Sequence, residues 1–203
     1  MSTTQFSGIA AALPIPDIDT DTIIPIDYCI NRERPHFDVA LFRSWRYHSD
    51  GRERSDFLLN KDPYRKTEIL LTGANFGCGS SREMAVWALA DFGIRCVIAP
   101  SFGEIFYNNC FQNQLLAARV SPETSETLHH TLGQNPGLAL VVDINEKTVR
   151  SSESNAFQFE LDSLRSEMLL QGLDPVTATL TRITEIEAFE KRDRLLRPWV
   201  RPR

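Results

Sequence analysis

The feature that most constrains the fold is the stretch from residue 68 to residue 100, where two apolar segments flank a glycine-rich loop. Both "TEILLTG" and "IRCVIAP" have the length and composition of buried strands. Between them, "SREMAVWALADF" spaces its apolar residues along one face of a helix, and Gly93 stands where a helix C-cap belongs. The stretch therefore predicts a βαβ unit with parallel strands.

The rest of the chain continues this alternation of strands and helices. We predict a strand in "FSGIAAALP", a helix in "SFGEIFYNNCFQNQ" and a strand in "LLAARV". A helix is expected over residues 121–135, with Ser121 as its N-cap and Pro122 at its first position. Together with the βαβ unit, these elements indicate an α/β fold.

Three further regions are predicted with less regular patterns. "LALVVDINEKTVRS" and "AFQFEL" alternate as antiparallel strands do, with a turn at Asn145 to Lys147. A long polar excursion covers residues 27–62, with a short helix expected from Val39 to Arg46. "DPVT" signals the start of one polar helix that runs to about Arg194, while "PIPDIDTDTIIP" reads as a loop because its prolines interrupt any helix.

The composition limits the classes of function. The chain has 203 residues and a net charge of −5, so it lacks the basic character expected of a nucleic-acid-binding protein. It has no run of about 18 apolar residues and no N-terminal signal pattern, which predicts a cytoplasmic protein without a membrane partner. We expect one domain over residues 1–203 with a C-terminal helical extension.

The cysteines do not suggest a metal site. They are widely spaced and include no CxxC pair or neighbouring histidine cluster. Free thiols in a reducing compartment are favoured over disulfides. We therefore expect no metal bound by this chain; the four residues are Cys29, Cys78, Cys96 and Cys110.

The loop "GANFGCGSSRE" carries the strongest chemical signal. Its glycines let a ligand approach the main chain, and N–H groups at a helix N-terminus attract anions. We expect Ser80, Ser81 and Arg82 on the first helical turn, where an arginine fork suits a carboxylate. Phosphate binding is an alternative, although the lysine of GxxxxGK[ST] and the third glycine of GxGxxG are missing. A second alternative is a plain βα turn in which a serine caps the helix.

Three separated segments together resemble a known family. "DTDTIIP", "NFGCGSSRE" and "VIAPSFGEIFYNNCFQNQLL" are similar, in order and spacing, to the small subunits of 3-isopropylmalate dehydratase, which belong to the aconitase swivel-domain family. The resemblance covers most of the chain. It implies an α/β/α swivelling domain built on a mainly parallel sheet, and a larger partner subunit that carries a [4Fe-4S] cluster.

The resemblance also implies roles for the glycine-loop residues. Ser80 would be the base that removes a proton from carbon, and its alkoxide would need positive charge and N–H donors nearby. Arg82 would hold a substrate carboxylate and Ser81 would assist, with the main chain around Gly79 close to the substrate. The implied reaction moves a hydroxyl group along a hydroxy dicarboxylate by dehydration and rehydration.

Two residues outside the glycine loop are also implied. Asp21 lies in "DTDTIIP", residues 19–25, which we call the DTD segment. It would orient a histidine of the large subunit across the cleft, although a role in an Asx turn or helix cap accounts for an aspartate there equally well. Arg34 would contact the substrate from a specificity loop, with a solvated surface charge as the alternative.

The chain departs from the family pattern in ways that leave the substrate open. Met84 and Val86 replace a histidine and a proline, while Asn108 and Ala117 replace a glycine and a proline. The segment "CINRERPHFDVALF" is more charged than is usual in the family. The main expectation is isomerisation of isopropylmalate in leucine biosynthesis. The alternatives are a related acid such as methylmalate, a citrate-like acid or phosphinomethylmalate, and a non-catalytic regulatory partner of a large subunit.

Overall fold

The computed structural model describes residues 4–30, 34–79, 82–151 and 156–200. Within these ranges seven strands form a single sheet, and helices connect or flank them. The strands are β1 (Gln5–Leu13), β2 (Thr67–Thr72), β3 (Cys96–Ala99), β4 (Leu116–Arg119), β5 (Ala139–Asp143), β6 (Thr148–Ser151) and β7 (Phe157–Gln158). The helices are α1 (Thr20–Ile23), α2 (Arg43–Arg46), α3 (Glu83–Phe92), α4 (Glu104–Gln112), α5 (Pro122–Gln134), α6 (Ser163–Gln171), α7 (Pro175–Leu180) and α8 (Ile183–Leu196).

The sheet is mixed, with a parallel half and an antiparallel half. Its strand order is β4-β3-β2-β1-β5-β6-β7. The pairs among β1, β2, β3 and β4 are parallel, whereas β5 pairs antiparallel with β1 and the hairpin strands that follow pair antiparallel as well. The α/β class is confirmed, and the antiparallel strands predicted around Asn145 to Lys147 form the second half of this sheet.

The predicted βαβ unit is present as β2, α3 and β3. Strand β3 is buried along its whole length, as expected of a parallel strand covered on both faces. Helix α3 ends at Gly93, whose φ of +108° places it in the left-handed region and whose N–H donates to the Ala90 carbonyl at 3.0 Å. This unit positions the glycine-rich loop at the carboxyl end of β2.

The predicted strands and helices of the core are confirmed, including the cap of α5, where the Ser121 side chain accepts a hydrogen bond from the Thr124 N–H. The predicted loop before residue 25 contains one helical turn, α1, which starts after the Asp19 cap and stops before Pro25. The prolines therefore limit the length of this helix without preventing it.

Two predicted helices are interrupted. Residues 39–46 form a 3₁₀ turn at Asp38–Ala40 and then α2, because Phe42 between them has a φ of +46°. The single C-terminal helix is divided into α7 and α8, and the Asp174 carboxylate caps α7 as expected. No helix in the described ranges is both long and apolar enough to cross a membrane.

Helix α5 packs on β1 and β2 and brings a histidine to the end of β2. The His129 Nε2 lies 3.3 Å from the Thr72 carbonyl, while its buried Nδ1 has no described partner. Burial lowers the pKa of His129 below its usual value, although the bond to Thr72 opposes the shift. The folded chain therefore favours the neutral ring.

This shift gives a pH prediction. Because the pKa of His129 is lower in the folded state than in the unfolded state, the unfolded state binds a proton first as the pH falls below about 6.5. The free energy of unfolding of the native chain should therefore decrease between pH 7 and pH 5, and His129→Gln should reduce that decrease. Urea denaturation at each pH measures the free energy of unfolding of both chains. The exposed neighbour His130 provides the control. If His130→Gln reduced the pH-dependent decrease as much as His129→Gln, the assignment of that decrease to His129 would be contradicted.

Candidate active site

Three loops meet at the carboxyl edge of the parallel strands, where α/β proteins bind their ligands. They follow β1, β2 and β3, and main-chain hydrogen bonds join them. The Gly77 N–H donates to the Ile18 carbonyl at 2.7 Å, and the Thr20 N–H donates to the Cys78 carbonyl at 3.0 Å. On the other side, the Gly103 N–H donates to the Phe76 carbonyl at 2.9 Å. The glycine-rich loop is therefore held between the DTD segment and the segment before α4.

Side chains strengthen the same junction. The Asn75 Nδ2 donates to the Asp17 Oδ1 at 2.7 Å, and the Asn75 N–H donates to the Ser101 hydroxyl at 2.8 Å. Sequence reasoning did not identify these supporting residues. Asn75 has a φ of +59°, a conformation that asparagine tolerates better than most residues, so its place inside a glycine-rich loop was an available signal.

Gly77 is required by both its conformation and its surroundings. Its φ is +72°, and a Cβ atom there would lie 2.2 Å from the Phe106 ring. Phe106 is buried and packs edge-on against Phe76 with ring centroids 5.3 Å apart. The loop thus sits directly on an aromatic cluster, which leaves no room for any larger residue at this position.

Arg82 lies at the centre of the candidate site. Its Nη1 is 2.5 Å from the Asp21 Oδ1 and donates to the Ile24 carbonyl at 3.1 Å, with 14% of the side chain exposed. The prediction that Arg82 occupies the first helical turn is wrong. Its backbone is extended, with φ −134° and ψ 105°, and α3 begins at Glu83. Arg82 therefore precedes the helix and its side chain joins the DTD segment to α3.

Ser80 and Ser81 lie outside the described residues, so their predicted roles stay predictions. The residues on either side are described. Gly79 has a φ of +87°, and a Cβ atom there would lie 3.5 Å from the Asp19 Cβ. Before the two serines the main chain is bound to the DTD segment through the Cys78 carbonyl, and after them the Arg82 side chain pairs with Asp21.

The two carboxylates of the DTD segment, those of Asp19 and Asp21, make different contacts. Asp19 caps α1 by accepting a hydrogen bond from the Thr22 N–H at 2.7 Å, and its bonds to Thr22 lower its pKa despite some desolvation. The helix cap that was the alternative role for Asp21 is therefore made by Asp19. The Asp21 carboxylate pairs with Arg82 and remains 57% exposed.

Arg34 is not brought to Arg82. Its Nη2 donates to the Asp91 Oδ1 at 3.2 Å, and its guanidinium lies 5.6 Å from the centroid of the Trp87 ring. Asp91 is in the last turn of α3, whereas Arg82 precedes the first, a rise of about 14 Å along the helix. Arg34 is 43% exposed at its side chain, so its predicted contact with substrate stays a prediction.

The cysteines behave as neutral thiols in the described structure. Burial raises the pKa of Cys96 and of Cys110 well above the usual value, and burial also raises that of Cys78. In the described ranges, no group of three or more His, Cys, Asp or Glu side chains is arranged to hold a metal ion. All four cysteines are unpaired.

The departures from the family pattern have structural explanations. Met84 packs against the core from its partly buried position on α3, and Val86 is fully buried. Ala117 is buried within β4. The Asn108 Oδ1 accepts a hydrogen bond from the Arg165 Nη2 at 2.7 Å, which ties α4 to α6. Three of these residues are therefore used in core packing and Asn108 in a contact between helices, while Arg82 retains its pair with Asp21.

The geometry predicts different costs for two glycine substitutions. Gly77→Ala should lower the free energy of unfolding by about 3 kcal/mol, because the strain of a positive φ and the clash of the new Cβ with the Phe106 ring both destabilise the folded state. Gly93→Ala should cost about 1 kcal/mol, since its φ is positive but nothing lies within 4 Å of the new Cβ. Denaturant unfolding of both variants measures the difference, and equal costs would show that the Phe106 contact is not tight.

Comparison with known proteins agrees with this geometry. Residues 2–123 match the family model for the aconitase C-terminal domain. Proteins named 3-isopropylmalate dehydratase small subunit are similar over nearly the full chain. Those of Mesorhizobium japonicum and Roseobacter denitrificans are both 46% identical, with 97% of this chain and 98% of each relative covered.

A solved structure supports the same grouping. The crystal structure of 3-isopropylmalate dehydratase from Methanocaldococcus jannaschii has a TM-score of 0.65 and 25% identity, and the match covers 92% of this chain and 99% of that chain. With the carboxyl-edge loops and the matched sequence, these similarities place the chain in the aconitase C-terminal domain family, among the small subunits of 3-isopropylmalate dehydratase.

Proposed function

We propose that this chain is the small subunit of a cytoplasmic hydro-lyase that interconverts 3-isopropylmalate and 2-isopropylmalate in leucine biosynthesis. The observation that carries the proposal is the fixed, partly exposed guanidinium of Arg82 at the carboxyl edge of the sheet; in the sequence, Arg82 directly follows the two serines of GSSRE. The names of the relatives support the substrate and the need for a large subunit.

Arg82 would bind one carboxylate of the substrate. Its Nη1 is already engaged by Asp21 and the Ile24 carbonyl, so the guanidinium is held in one orientation before substrate arrives. A planar, oriented guanidinium can give a carboxylate two parallel hydrogen bonds. Because little of its ordering entropy remains to be lost, such an arginine binds more tightly than a freely rotating one.

Ser80 would act as the base in the proposed reaction. It would take a proton from the carbon next to the carboxylate, and the same residue would return the proton when water adds in the other direction. An alkoxide is stable only where positive charge and N–H donors surround it. Arg82 stands two residues further along the chain, and the main chain before Ser80 is bound to the DTD segment at Cys78, whose carbonyl accepts a hydrogen bond from the Thr20 N–H.

The large subunit would complete the site. Its [4Fe-4S] cluster would supply a Lewis acid for the departing hydroxyl group. The buried, protonated thiols of Cys96 and Cys110 are not suited to bind a cluster, which supports a proposal that the partner holds it. The exposed carboxylate of Asp21 would face that partner and orient its histidine.

A related substrate is the second candidate within this reaction class. The residues "NRERPHFD", numbered 31–38, differ in charge from the expected family pattern. Methylmalate, citrate-like acids and phosphinomethylmalate retain the carboxylate that Arg82 would bind. They differ from isopropylmalate in the side group, so a substrate panel separates them without changing the roles of Ser80 and Arg82.

Removing the proposed base tests the mechanism. Ser80→Ala in the reconstituted two-subunit enzyme should lower kcat with 3-isopropylmalate about 10²- to 10⁴-fold, because no other group is assigned to the proton transfer. Ser81→Ala should mainly raise KM. Formation of the alkene followed by absorbance measures both, and size-exclusion chromatography checks assembly. Substantial turnover by an assembled Ser80→Ala complex would contradict the role of Ser80.

Shortening the carboxylate-binding group tests the role of Arg82. Arg82→Lys should lower kcat/KM about 10- to 100-fold, because an ammonium cannot replace the oriented fork. Arg95→Lys is the matched control, since Arg95 pairs with Glu68 at 3.2 Å at the opposite edge of the sheet. Equal kinetics for the Arg82 and Arg95 variants would exclude Arg82 as a substrate ligand.

A further inference from the structure

Helix α3 begins at a residue that cannot cap it. Arg82 occupies the N-cap position, and its side chain makes no capping hydrogen bond to a described N–H group of the first turn. A guanidinium has only donors, so it cannot provide the acceptor that serine, aspartate or asparagine provides at most helix starts. The first turn therefore depends on other contacts to stay ordered. Because Arg82 directly precedes this turn, those contacts also fix its main chain.

The side-chain amide of Asn113 supplies such contacts from the end of α4. Asn113 is the C-cap residue of α4 and is partly buried. Its Nδ2 donates to the Glu83 Oε1 at 3.0 Å, and its Oδ1 accepts a hydrogen bond from the Trp87 Nε1 at 2.8 Å. Glu83 is the first residue of α3 and Trp87 lies one turn later on the same face. One amide thus bridges the first and second turns of α3.

The orientation of this amide is itself fixed. Its Nδ2 also donates to the Asn109 carbonyl at 3.0 Å, and the Asn113 main-chain N–H donates to the same carbonyl at 3.2 Å. The Trp87 N–H can only donate and a carboxylate can only accept, so a single orientation of the amide satisfies both partners. The bridge therefore requires two donors and one acceptor in this arrangement, which an asparagine provides and an aspartate does not.

The bridge reaches Arg82 through the next residue in the chain. Arg82 directly precedes Glu83, and the Arg82 carbonyl accepts a hydrogen bond from the N–H of the fully buried Ala85 at 3.1 Å. At the other end of the side chain, the guanidinium contacts Asp21 and the Ile24 carbonyl. Arg82 is therefore held at its main chain by the start of α3 and at its charged end by the loop after β1.

We propose that Asn113 is a positioning residue that orders the first turn of α3 and thereby fixes the main chain of Arg82 for carboxylate binding. The kinetic consequence rests on the proposed function, whereas the ordering of the turn does not. Asn113 acts through Glu83 and Arg82 and is assigned no contact with substrate.

Exchanging the donor and the acceptor of the Glu83–Asn113 bond gives a test with its own rescue. Asn113→Asp places two carboxylates opposite each other and keeps the acceptor for the Trp87 N–H. Adding Glu83→Gln to Asn113→Asp restores the bond in the reverse direction, because the new amide donates to the new carboxylate. If Asn113→Asp does not fold, Glu83→Ala removes the same bond from its exposed partner.

Asn135→Asp is the matched control. Asn135 is the C-cap residue of α5, and its Nδ2 donates to the Thr131 carbonyl at 2.9 Å, as the Asn113 amide does to the Asn109 carbonyl. The substitution adds the same negative charge at a helix C-terminus, where the helix dipole opposes it. Helix α5 packs on β1 and β2, so this variant imposes the same general cost away from the start of α3.

The first measurement is amide hydrogen exchange in the full chain, alone and with its large subunit. Peptides that cover residues 83–89 should exchange about tenfold faster at Ala85 in Asn113→Asp, because the first turn opens more often. Exchange should return close to the wild-type rate when Glu83→Gln is added, and it should not change in Asn135→Asp. Unchanged exchange at Ala85 in Asn113→Asp, or equal acceleration in Asn135→Asp, would overturn the inference.

The second measurement is the kinetics of the assembled enzyme with 3-isopropylmalate. Asn113→Asp should raise KM about fivefold with a smaller fall in kcat, the effect of losing about one hydrogen bond that orients Arg82. Adding Glu83→Gln should recover most of the loss, which would show coupling between the two positions. A merely structural role would reduce the folded fraction and so lower kcat at unchanged KM, and that result would overturn the inference.

The two proposals fail in different ways. If the assembled wild type did not act on 3-isopropylmalate, the proposed function would fail. Exchange at Ala85 would still decide whether Asn113 orders the first turn: acceleration in Asn113→Asp with rescue by Glu83→Gln would support that role. If the wild type acted on 3-isopropylmalate and Asn113→Asp matched it in KM, the proposed function would stand and the positioning role would fail.

Discussion

The main-chain hydrogen bonds between the glycine-rich loop and the DTD segment hold the candidate site together. The Gly77 N–H donates to the carbonyl of Ile18, which directly precedes this segment, and the Cys78 carbonyl accepts a hydrogen bond from the Thr20 N–H within it. Because these bonds are made by the backbone, they depend on strand order and loop conformation more than on side-chain identity. They place Asp21 beside Arg82 although the two lie 61 positions apart in the chain.

Helix α3 connects the proposed carboxylate-binding arginine with the contacts that hold residues 34–37. Arg82 lies immediately before the helix, and Asp91 lies in its last turn. The first would hold a carboxylate, which isopropylmalate and each of the alternative acids carry, while the second binds Arg34 and the main chain of His36 and Phe37. A helix of ten residues keeps these two contacts at a constant spacing of about 14 Å.

Much of the parallel half of the fold was predictable from sequence, because β2, α3 and β3 follow simple periodicity and end at clear signals such as Gly93. The interruption at Phe42 was not predictable, because a left-handed phenylalanine depends on tertiary packing. The extended backbone of Arg82 was missed for a similar reason, since its partners Asp21 and Ile24 are remote in sequence. The contact between Arg34 and Asp91 could not be predicted without the fold. An acid near a helix C-terminus does indicate, however, that a compensating donor is needed there.

The most direct test of the central claim is anaerobic capture of the tagged chain from its native cells, followed by assay of the eluate with 3-isopropylmalate. The account predicts that a larger iron- and sulfide-containing subunit is recovered with it and that the complex forms the alkene and then 2-isopropylmalate. Recovery of the chain with such a subunit but without turnover of 3-isopropylmalate, or without any such subunit, would contradict the account.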